Sequence, residues 1–456
     1  MDELLRFCPT YFCAVNFLHF IIIQMKIQLK QLILGVMLSG VCGTVFSQTN
    51  SEKVLRLSLK EAQDYAVLHN KTVWNAGLSA SEAQKRTWEV ISAGLPQVHA
   101  SVDYQNMLGF KMNFAGMNIP LEPQSNVQTT VTQLLFSASY WVGIQMSKIG
   151  EQMSETARLQ AELDVKHQTQ SAYHAILIAQ EHKKILEQNL ENMRALAQTT
   201  ENMVRIGVVE QTDADRLKVQ VSTMMLGMKT VERNIELAHN LLRFHLGVEA
   251  GTEIVPTQTA DELMITKDVG EMLFMNFDPN ANYHVQLLNG QVDLAVKQVT
   301  LERAAALPAV AAFYNYTHKI TTRTFDMAPG NVIGLQVNVP IFASGQRHVR
   351  TQQAKIGLEK AKNNRDLLTD QLLMQEKQLR FNLKNAMESL ELQKETIGVS
   401  QRVFESVSQK YQHGTASSID VTIASTELLQ AQTNYVHAMM QLFLAQSEWE
   451  KLLNNF

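Results

Sequence analysis

Two long proline-free stretches of the chain repeat apolar residues at helical spacing. The repeated positions are Leu186, Leu190, Met193 and Ala197 in residues 124–255. In residues 341–456, Leu383, Met387 and Leu390 nearly repeat this pattern, with Lys394 at the fourth position. Spacings of three and four place side chains on one face of a helix, as in the seam of a coiled coil. Both stretches are also rich in Gln, Ala, Leu, Glu and Lys, which favour helix. We predict a helix over about 138–205, on the order of 100 Å long at 1.5 Å per residue, which is too long for a globular core.

A second pattern, with period two, predicts four strands. Apolar and polar residues alternate over about 96–107, 126–136, 308–320 and 331–342. Alternation is typical of strands whose two faces meet different surroundings, and turn residues between the members of each pair predict two hairpins. Strands of about ten residues have the length of tilted strands that cross a bilayer. An ordinary small sheet has the same pattern and stays open as the alternative.

Both sets of elements occur twice along the chain. Residues 95–98 (LPQV) recur as 307–310 (LPAV), and 131–136 (VTQLLF) recur as 337–342 (VNVPIF). The second offset, 206 residues, continues along the long helices, where Lys148–Gly150 (KIG) recurs as Lys355–Gly357 (KIG) at an offset of 207. This near-constant offset predicts two tandem structural repeats, each of helix, two strands, long helix, turn and return helix. We assign residues 48–250 to the first repeat, 251–282 to a linker or equatorial region, and 283–456 to the second repeat.

The amino end has the pattern of a secretory signal peptide. From Met25, two lysines precede an apolar stretch over residues 32–41, which small residues follow. We expect residues 1–47 to be the signal peptide, with cleavage after Ser47, and residues 1–24 to reflect a misassigned start codon. Lipidation at Cys42 is the alternative for processing. The remaining cysteines, Cys8 and Cys13, also precede residue 47.

Composition excludes several functional classes. A net charge of -4 and 7% aromatic residues give neither the basic surface nor the stacking platforms that nucleic-acid binding needs. No uninterrupted apolar run after Gln48 approaches the roughly 20 residues of a membrane-spanning helix, so any membrane insertion is expected through strands.

No residues suggest catalysis or a cofactor. His167 and His174 lie seven positions apart on a predicted helix, a spacing more typical of solvated or interfacial histidines than of metal ligands. Met224, Met225 and Met228 are possible ligands for a soft metal, but we expect them to pack in the coiled coil. We therefore predict a protein that is not an enzyme and has no catalytic, cofactor or metal site.

Short motifs in a fixed order resemble one family. They are Leu57–Ala62 (LSLKEA), Leu135–Ser137 (LFS), Ile341–Gly345 (IFASG) and the turn Tyr411–Gly414 (YQHG) followed by Ile419–Val421 (IDV). Together with the duplication, they resemble the TolC-type outer-membrane efflux proteins over residues 57–453.

Four strands cannot close a barrel alone, so other chains are expected to complete the sheet. Two copies give eight strands and three give twelve, which leaves room for a passage. The resemblance implies an α+β fold in which a homotrimer forms a 12-stranded β-barrel in outer-membrane lipid, continued by a coiled-coil helical tunnel into the periplasm of a Gram-negative bacterium.

The resemblance also implies a function. It implies the exit duct of a tripartite efflux or secretion system, whose partners are a periplasmic adaptor and an inner-membrane transporter. A periplasmic coiled-coil adaptor or a structural protein of the cell envelope is the alternative. The transported substrate and the type of pump stay open.

The far ends of the helices contain the candidate functional residues. The resemblance implies adaptor docking at two tip turns, around Gly207 and Val208 and around Gly414 and Thr415. Three polar residues within about two helical turns of the tips are the gate candidates, and they are Asp213, Tyr411 and Asp420. We predict that Tyr411 donates a hydrogen bond to Asp213 where threefold symmetry brings the tips together, while Asp213 and Asp420 are alternatively only favourable acids at helix amino ends. The chain departs from the family pattern at Ala416 and Ile423.

Overall fold

The computed structural model describes residues 54–114, 117–120, 123–266, 269–321 and 329–455. The predicted signal peptide lies outside the described residues. In chain order, the helices are α1 (Leu59–His69), α2 (Lys71–Ser92), α3 (Ala138–Arg205), α4 (Gln211–Leu246), α5 (Ala260–Thr266), α6 (Val269–Met272), α7 (Tyr283–Ala304), α8 (Gln346–Gln412) and α9 (Ser418–Leu452). The strands are β1 (Val54–Leu57), β2 (Gln97–Gln105), β3 (Lys111–Phe114), β4 (Met117–Pro120), β5 (Gln124–Ser137), β6 (Glu253–Pro256), β7 (Ala309–Lys319) and β8 (Asn331–Asn338).

The long helix predicted over residues 138–205 is confirmed as α3, with 68 residues. It begins where the Ser137 hydroxyl accepts a hydrogen bond from the Tyr140 amide at 3.3 Å, an N-cap that satisfies one of the free amides of the first turn. Its counterpart α8 has 67 residues. No helix within the described ranges is both long enough and apolar enough to cross a membrane.

Each long helix packs against its return helix to form a helical hairpin. The predicted seam of the first hairpin is confirmed, because Leu186, Leu190 and Met193 are buried. In the second hairpin, Leu383 is buried and Met387 packs against the same cluster. These clusters extend from helix to helix along the hairpins and do not form one round core, which is the packing that a repeated three-four spacing dictates.

The four long strands form an antiparallel sheet in the order β2-β5-β7-β8. The two predicted hairpins are therefore joined through β5 and β7, where Val131 lies opposite Tyr314. Strand β8 ends at Asn338, four residues before the predicted end at 342, because Pro340 lacks the amide that would continue the ladder. A further small hairpin, β3 with β4, was not predicted.

The region 251–282, predicted as a linker or equatorial region, contains regular structure. Strand β6 pairs in parallel with β1, and residues 260–281 add α5, α6 and a short 3-10 helix. The indole of Trp449 on α9 donates to the Met272 carbonyl at 3.0 Å, and the Arg380 guanidinium lies over the same indole, 5.0 Å from its centroid. We call α1, β1, β6, α5 and α6 the belt, because they pack on the sides of the helical hairpins.

Candidate functional site

The first tip turn joins α3 to α4 through Gly207. Its φ of +76° lies in the left-handed region, which glycine adopts without a steric penalty. The Val208 amide donates to the Met203 carbonyl at 2.9 Å and the Gly207 amide to the Val204 carbonyl at 2.9 Å, so the last carbonyls of α3 are satisfied. The Val208 side chain is 61% exposed, and the hydrogen bonds that close the turn come from the backbone.

The second tip turn joins α8 to α9 with the same geometry. Gly414 has φ +72°, and the Thr415 amide donates to the Lys410 carbonyl at 2.8 Å. The Thr415 hydroxyl donates to the same carbonyl at 3.0 Å. Thr415 therefore closes the end of α8 in addition to being exposed at the tip, which distinguishes it from Val208.

Asp420 lies at the third position of α9 and caps the amino end of that helix. Its carboxylate accepts hydrogen bonds from the Ser417 amide at 2.9 Å and the Ser417 hydroxyl at 2.8 Å, while its own amide donates to that hydroxyl at 3.2 Å. This is a reciprocal capping box. The Ser417 amide, followed by its hydroxyl, lowers the pKa of Asp420. Within one chain, Asp420 therefore caps the amino end of α9, which is the alternative to a gate role that the sequence analysis kept open.

Asp213 occupies the equivalent position of α4 but contacts the other hairpin. Its carboxylate accepts a hydrogen bond from the hydroxyl of Ser418, the first residue of α9, whose side chain is buried. This contact joins residues that are 205 positions apart. It links the two tips directly.

Within one chain the structure places the Tyr411 hydroxyl against Thr200, whereas the hydrogen bond predicted from Tyr411 to Asp213 joins neighbouring copies and stays a prediction. The hydroxyl oxygen of Tyr411 lies 3.0 Å from Thr200 Oγ1. Thr200 already donates its proton to the Leu196 carbonyl at 3.0 Å, so Tyr411 is the donor. Tyr411 is only 3% exposed because it packs in the interior of the hairpins.

The pKa of Tyr411 is raised chiefly by this burial, and the negative charge of Asp213 acts in the same direction. Asp213 and Tyr411 are thus electrostatic neighbours without a hydrogen bond between them.

Sequence reasoning missed two residues at the tips, Thr200 and Ser418. A signal for Thr200 was present, since it continues the seam of Met193 and Ala197 at a spacing of three and places a hydroxyl where an apolar side chain is expected. No such signal existed for Ser418, because a second serine after an N-cap serine is ordinary at a helix start.

The described residues contain no group of three or more His, Cys, Asp or Glu side chains arranged to hold a metal ion. Met224 and Met228 are buried in the helical packing, whereas Met225 is exposed. The three methionines therefore do not converge on one point, and packing explains the two buried ones.

The sheet has one predominantly apolar face and one predominantly polar face, with Thr129 and His318 as polar members of the first and Phe313 and Val332 as apolar members of the second. The apolar face contains Val98, Val102, Tyr104, Val127, Val131, Tyr314, Tyr316, Ile333, Leu335 and Val337, which the registers of the three strand pairs place together. The opposite face contains Gln97, His99, Ser101, Asp103, Asn126, Gln128, Thr130, Thr132, Asn315, Thr317, Lys319, Gln336 and Asn338. Large side chains of the apolar face are solvent-exposed in a single chain, and Val102, for example, is 69% exposed. An apolar surface of this extent is an interaction surface.

Comparisons with known proteins agree with this geometry. The sequence model of the family described as "Outer membrane efflux protein" matches residues 284–455. The outer membrane protein TolC of Salmonella enteritidis is 22% identical over 431 residues, which span 91% of this chain and 83% of TolC. The crystal structure of VceC, an outer membrane protein of Vibrio cholerae, superposes with a TM-score of 0.73 at 15% identity, over 87% of this chain and 96% of VceC. The chain is similar to the TolC-type outer-membrane efflux proteins, and its carboxyl-terminal part matches the sequence model of the outer membrane efflux family.

A second solved structure extends the agreement in fold. CusC superposes on this chain with a TM-score of 0.75 at 14% identity, over 88% of this chain and 92% of CusC. The resemblance stated from short motifs over residues 57–453 is confirmed. TolC and VceC are both outer membrane proteins.

Proposed function

We propose that this protein is the exit duct of a tripartite efflux or secretion system, and that three copies form a 12-stranded barrel continued by a helical tunnel. The observation that supports this most strongly is the two-faced sheet. Its apolar face suits lipid and its amide- and hydroxyl-rich face suits a water-filled passage, which is the alternation of a transmembrane barrel.

The open edges of the sheet favour assembly. In the described part of the chain, β2 pairs only with β5 and β8 only with β7. An unpaired edge in lipid leaves amides and carbonyls without partners, at several kcal/mol for each group. Pairing β8 of one copy with β2 of the next removes both edges, and three copies give twelve strands.

The helices offer a matching pair of unpartnered stripes. On α4 the exposed apolar residues include Val219, Leu226, Leu237 and Phe244, and on α8 they include Leu367, Met374, Phe381, Leu392 and Val399. Most neighbours within each stripe are seven residues apart, which is the spacing of a coiled-coil seam. The stripe of α4 in one copy therefore suits the stripe of α8 in the next.

The tips suit docking of a periplasmic adaptor, which would connect the duct to an inner-membrane transporter. Ile206, Val208 and Ile419 are exposed apolar residues around the two turns. The sequence has no phosphate-binding loop of the GxxxxGK[ST] type, so the energy for transport is expected from the inner-membrane partner.

A disulfide experiment tests the trimer. The repeat equates Val98 with Val310 and Val131 with Val337, so the observed pairing of Val131 with Tyr314 predicts that Val337 of one copy lies opposite Val102 of the next. Within one chain these two residues are on opposite edges of the sheet, three strand spacings apart and eight residues apart along the strands, which is roughly 30 Å. We expect the double variant Val102→Cys, Val337→Cys to yield a covalent trimer on a non-reducing gel after oxidation.

The matched control is Ser101→Cys with Val337→Cys, which places the two thiols on opposite faces and should give no cross-link. If the cross-linked species on the gel stop at dimers, or continue beyond trimers, the closed ring of three copies is rejected. Conductance of the purified trimer in planar bilayers then tests the duct itself, and a closed trimer that never conducts even after tip substitutions would reject it.

A further inference from the structure

A groove lined by histidines lies between α3, α4 and α9. Its volume is about 430 Å³, and its lining includes His174, His182 and His437 together with Ile178, Val436 and Phe443. That volume is within the range of small-molecule sites. We call it the histidine groove.

The groove opens on the side of α3 away from the belt. Ser171, Ala175, Ile178 and His182 line it, whereas Gln170 of the same helix donates to Glu450 and accepts from Gln63 of α1. At about 100° per residue, the groove face and the position of Gln170, which meets α1, are roughly 110° apart. In the proposed trimer the bulky belt has to lie outside the tunnel, so the groove faces the lumen.

The lining combines an apolar wall with imidazoles. The His174 ring stacks on Phe443 with 4.3 Å between centroids. The described lining contains no carboxylate and no lysine or arginine. Burial, and secondarily the proximity of His437, lowers the pKa of His182, so this ring is uncharged near neutral pH and can take up a proton when a negative charge approaches.

Several charged residues of the helices that form the groove are paired with other side chains. Lys183 of α3 pairs with Glu232 of α4 at 3.5 Å, and Glu181 pairs with Lys184 at 3.7 Å. On α9, Glu448 pairs with His167 at 3.3 Å. The imidazoles are therefore the groups of the groove that would interact electrostatically with a charged ligand.

We propose that the histidine groove binds lipophilic anions, that is, small amphiphiles with an apolar ring system and one sulfonate, carboxylate or phosphate group. The ring system packs against Ile178, Val436 and Phe443, and the anionic group accepts hydrogen bonds from His182 and His437. This inference rests on the proposed function for the position of the groove in the tunnel wall.

The test measures binding of 1-anilinonaphthalene-8-sulfonate to the full-length trimer in lipid nanodiscs, corrected against empty nanodiscs, at pH 6 and pH 8. Because a bound anion favours the protonated imidazole, we expect about five-fold tighter binding at pH 6. The variant His182→Gln, His437→Gln should remove this pH dependence. N-phenyl-1-naphthylamine, which lacks the sulfonate, should bind equally at both pH values.

A variant that fills the groove tests whether the sulfonate probe binds there. Ala175→Phe fills it from an exposed position, and Ala195→Phe makes the same change at an exposed position of α3 outside it. Loss of sulfonate binding in Ala175→Phe alone supports the site. Equal binding in both variants, or equal pH dependence of the two probes, overturns it. Bilayer conductance of the same samples tests the duct function separately. Trimers that conduct but do not bind the sulfonate probe would refute binding in the histidine groove without contradicting the duct function.

Discussion

The hydroxyl of Ser418 donates a hydrogen bond to the carboxylate of Asp213, and this contact joins the two helical hairpins at their tips. Each hairpin also closes its own turn through a glycine with positive φ. The turns fix each hairpin internally, whereas the Ser418–Asp213 contact fixes one hairpin relative to the other. Together with the Tyr411–Thr200 hydrogen bond between α8 and α3, it is a contact that has to break when the tips of the hairpins separate.

The first prediction concerns this contact. Ser418→Ala removes the donor and leaves the partly buried Asp213 carboxylate unsatisfied, so we expect it to destabilise the closed tip by about 1–3 kcal/mol. Resting conductance in planar bilayers should rise. Asp213→Asn should act similarly, and the double variant should add little because both changes remove one interaction. Ser425→Ala, the same substitution seven residues along α9, should leave the conductance at its parental value.

Tyr411→Phe is expected to behave differently from Ser418→Ala. It removes a buried hydrogen bond to Thr200, but Thr200 keeps its bond to the Leu196 carbonyl, so the loss is about 0.5–1.5 kcal/mol of stability. Thermal unfolding should occur at a lower temperature while resting conductance stays low. An increase in conductance equal to that of Ser418→Ala would instead assign the gate to Tyr411.

The cap on α9 gives a prediction at acid pH. The Ser417 amide and hydroxyl hold the pKa of Asp420 below its usual value of 3.8. Stability from this cap is therefore present above 3.8 and is lost as the pH falls through the lower pKa of the folded state. We expect the difference in unfolding temperature between the parent and Ser417→Ala to be larger at pH 5 than at pH 2.5, and a difference independent of pH would contradict the assignment.

Buried histidines predict a second loss of stability on acidification, which begins at a higher pH than the loss of the Asp420 cap. Burial lowers the pKa values of His239 and His245. The unfolded chain then binds more protons than the folded chain below pH 6.5, so stability falls as the pH drops from about 6.5 through the lower folded-state pKa values. His245→Gln should reduce the decrease in unfolding temperature between pH 7.5 and pH 5.5. His413→Gln, at an exposed tip position, should leave that decrease as it is in the parent.

The apolar stripe of α4 predicts an assembly defect. Leu226 is 67% exposed in one chain, and Leu226→Lys would bury a charge between copies, which is strongly unfavourable without a partner. We expect cross-linking in detergent to give fewer trimers. Met225→Lys, one position away and about 100° around the helix, is the control, and equal loss of trimers in both variants would contradict the proposed interface.

Much of the architecture was predictable because two periodic patterns specify it. The three-four spacing through Leu186 and Met193 gave α3 with its observed bounds, and the alternation around Val98 gave β2. Such patterns repeat over many residues, so single exceptions do not obscure them. The proline-containing region 251–282 has no comparable repeat, which is why its packed elements were described only as a linker or equatorial region.

The contacts at the tips were less predictable, for a physical reason. Sequence spacing places Asp213, Tyr411 and Asp420 near the same end of the hairpins, but it does not fix the rotation of each helix about its axis. That rotation turns Tyr411 inward to Thr200 and brings Asp213 to Ser418. Packing of side chains from both hairpins determines it, and no single segment contains that information.

The open edges of the sheet have a genetic consequence. In the proposed trimer, a chain whose β2 or β8 cannot pair still offers one normal edge to a normal copy, so we expect it to be incorporated into rings that it then prevents from closing. With equal amounts of normal and defective chains and random mixing, only about one ring in eight contains three normal copies. Edge substitutions in this protein are thus expected to be dominant-negative when co-expressed with the parent, whereas substitutions that unfold the chain before it reaches the membrane are expected to be recessive.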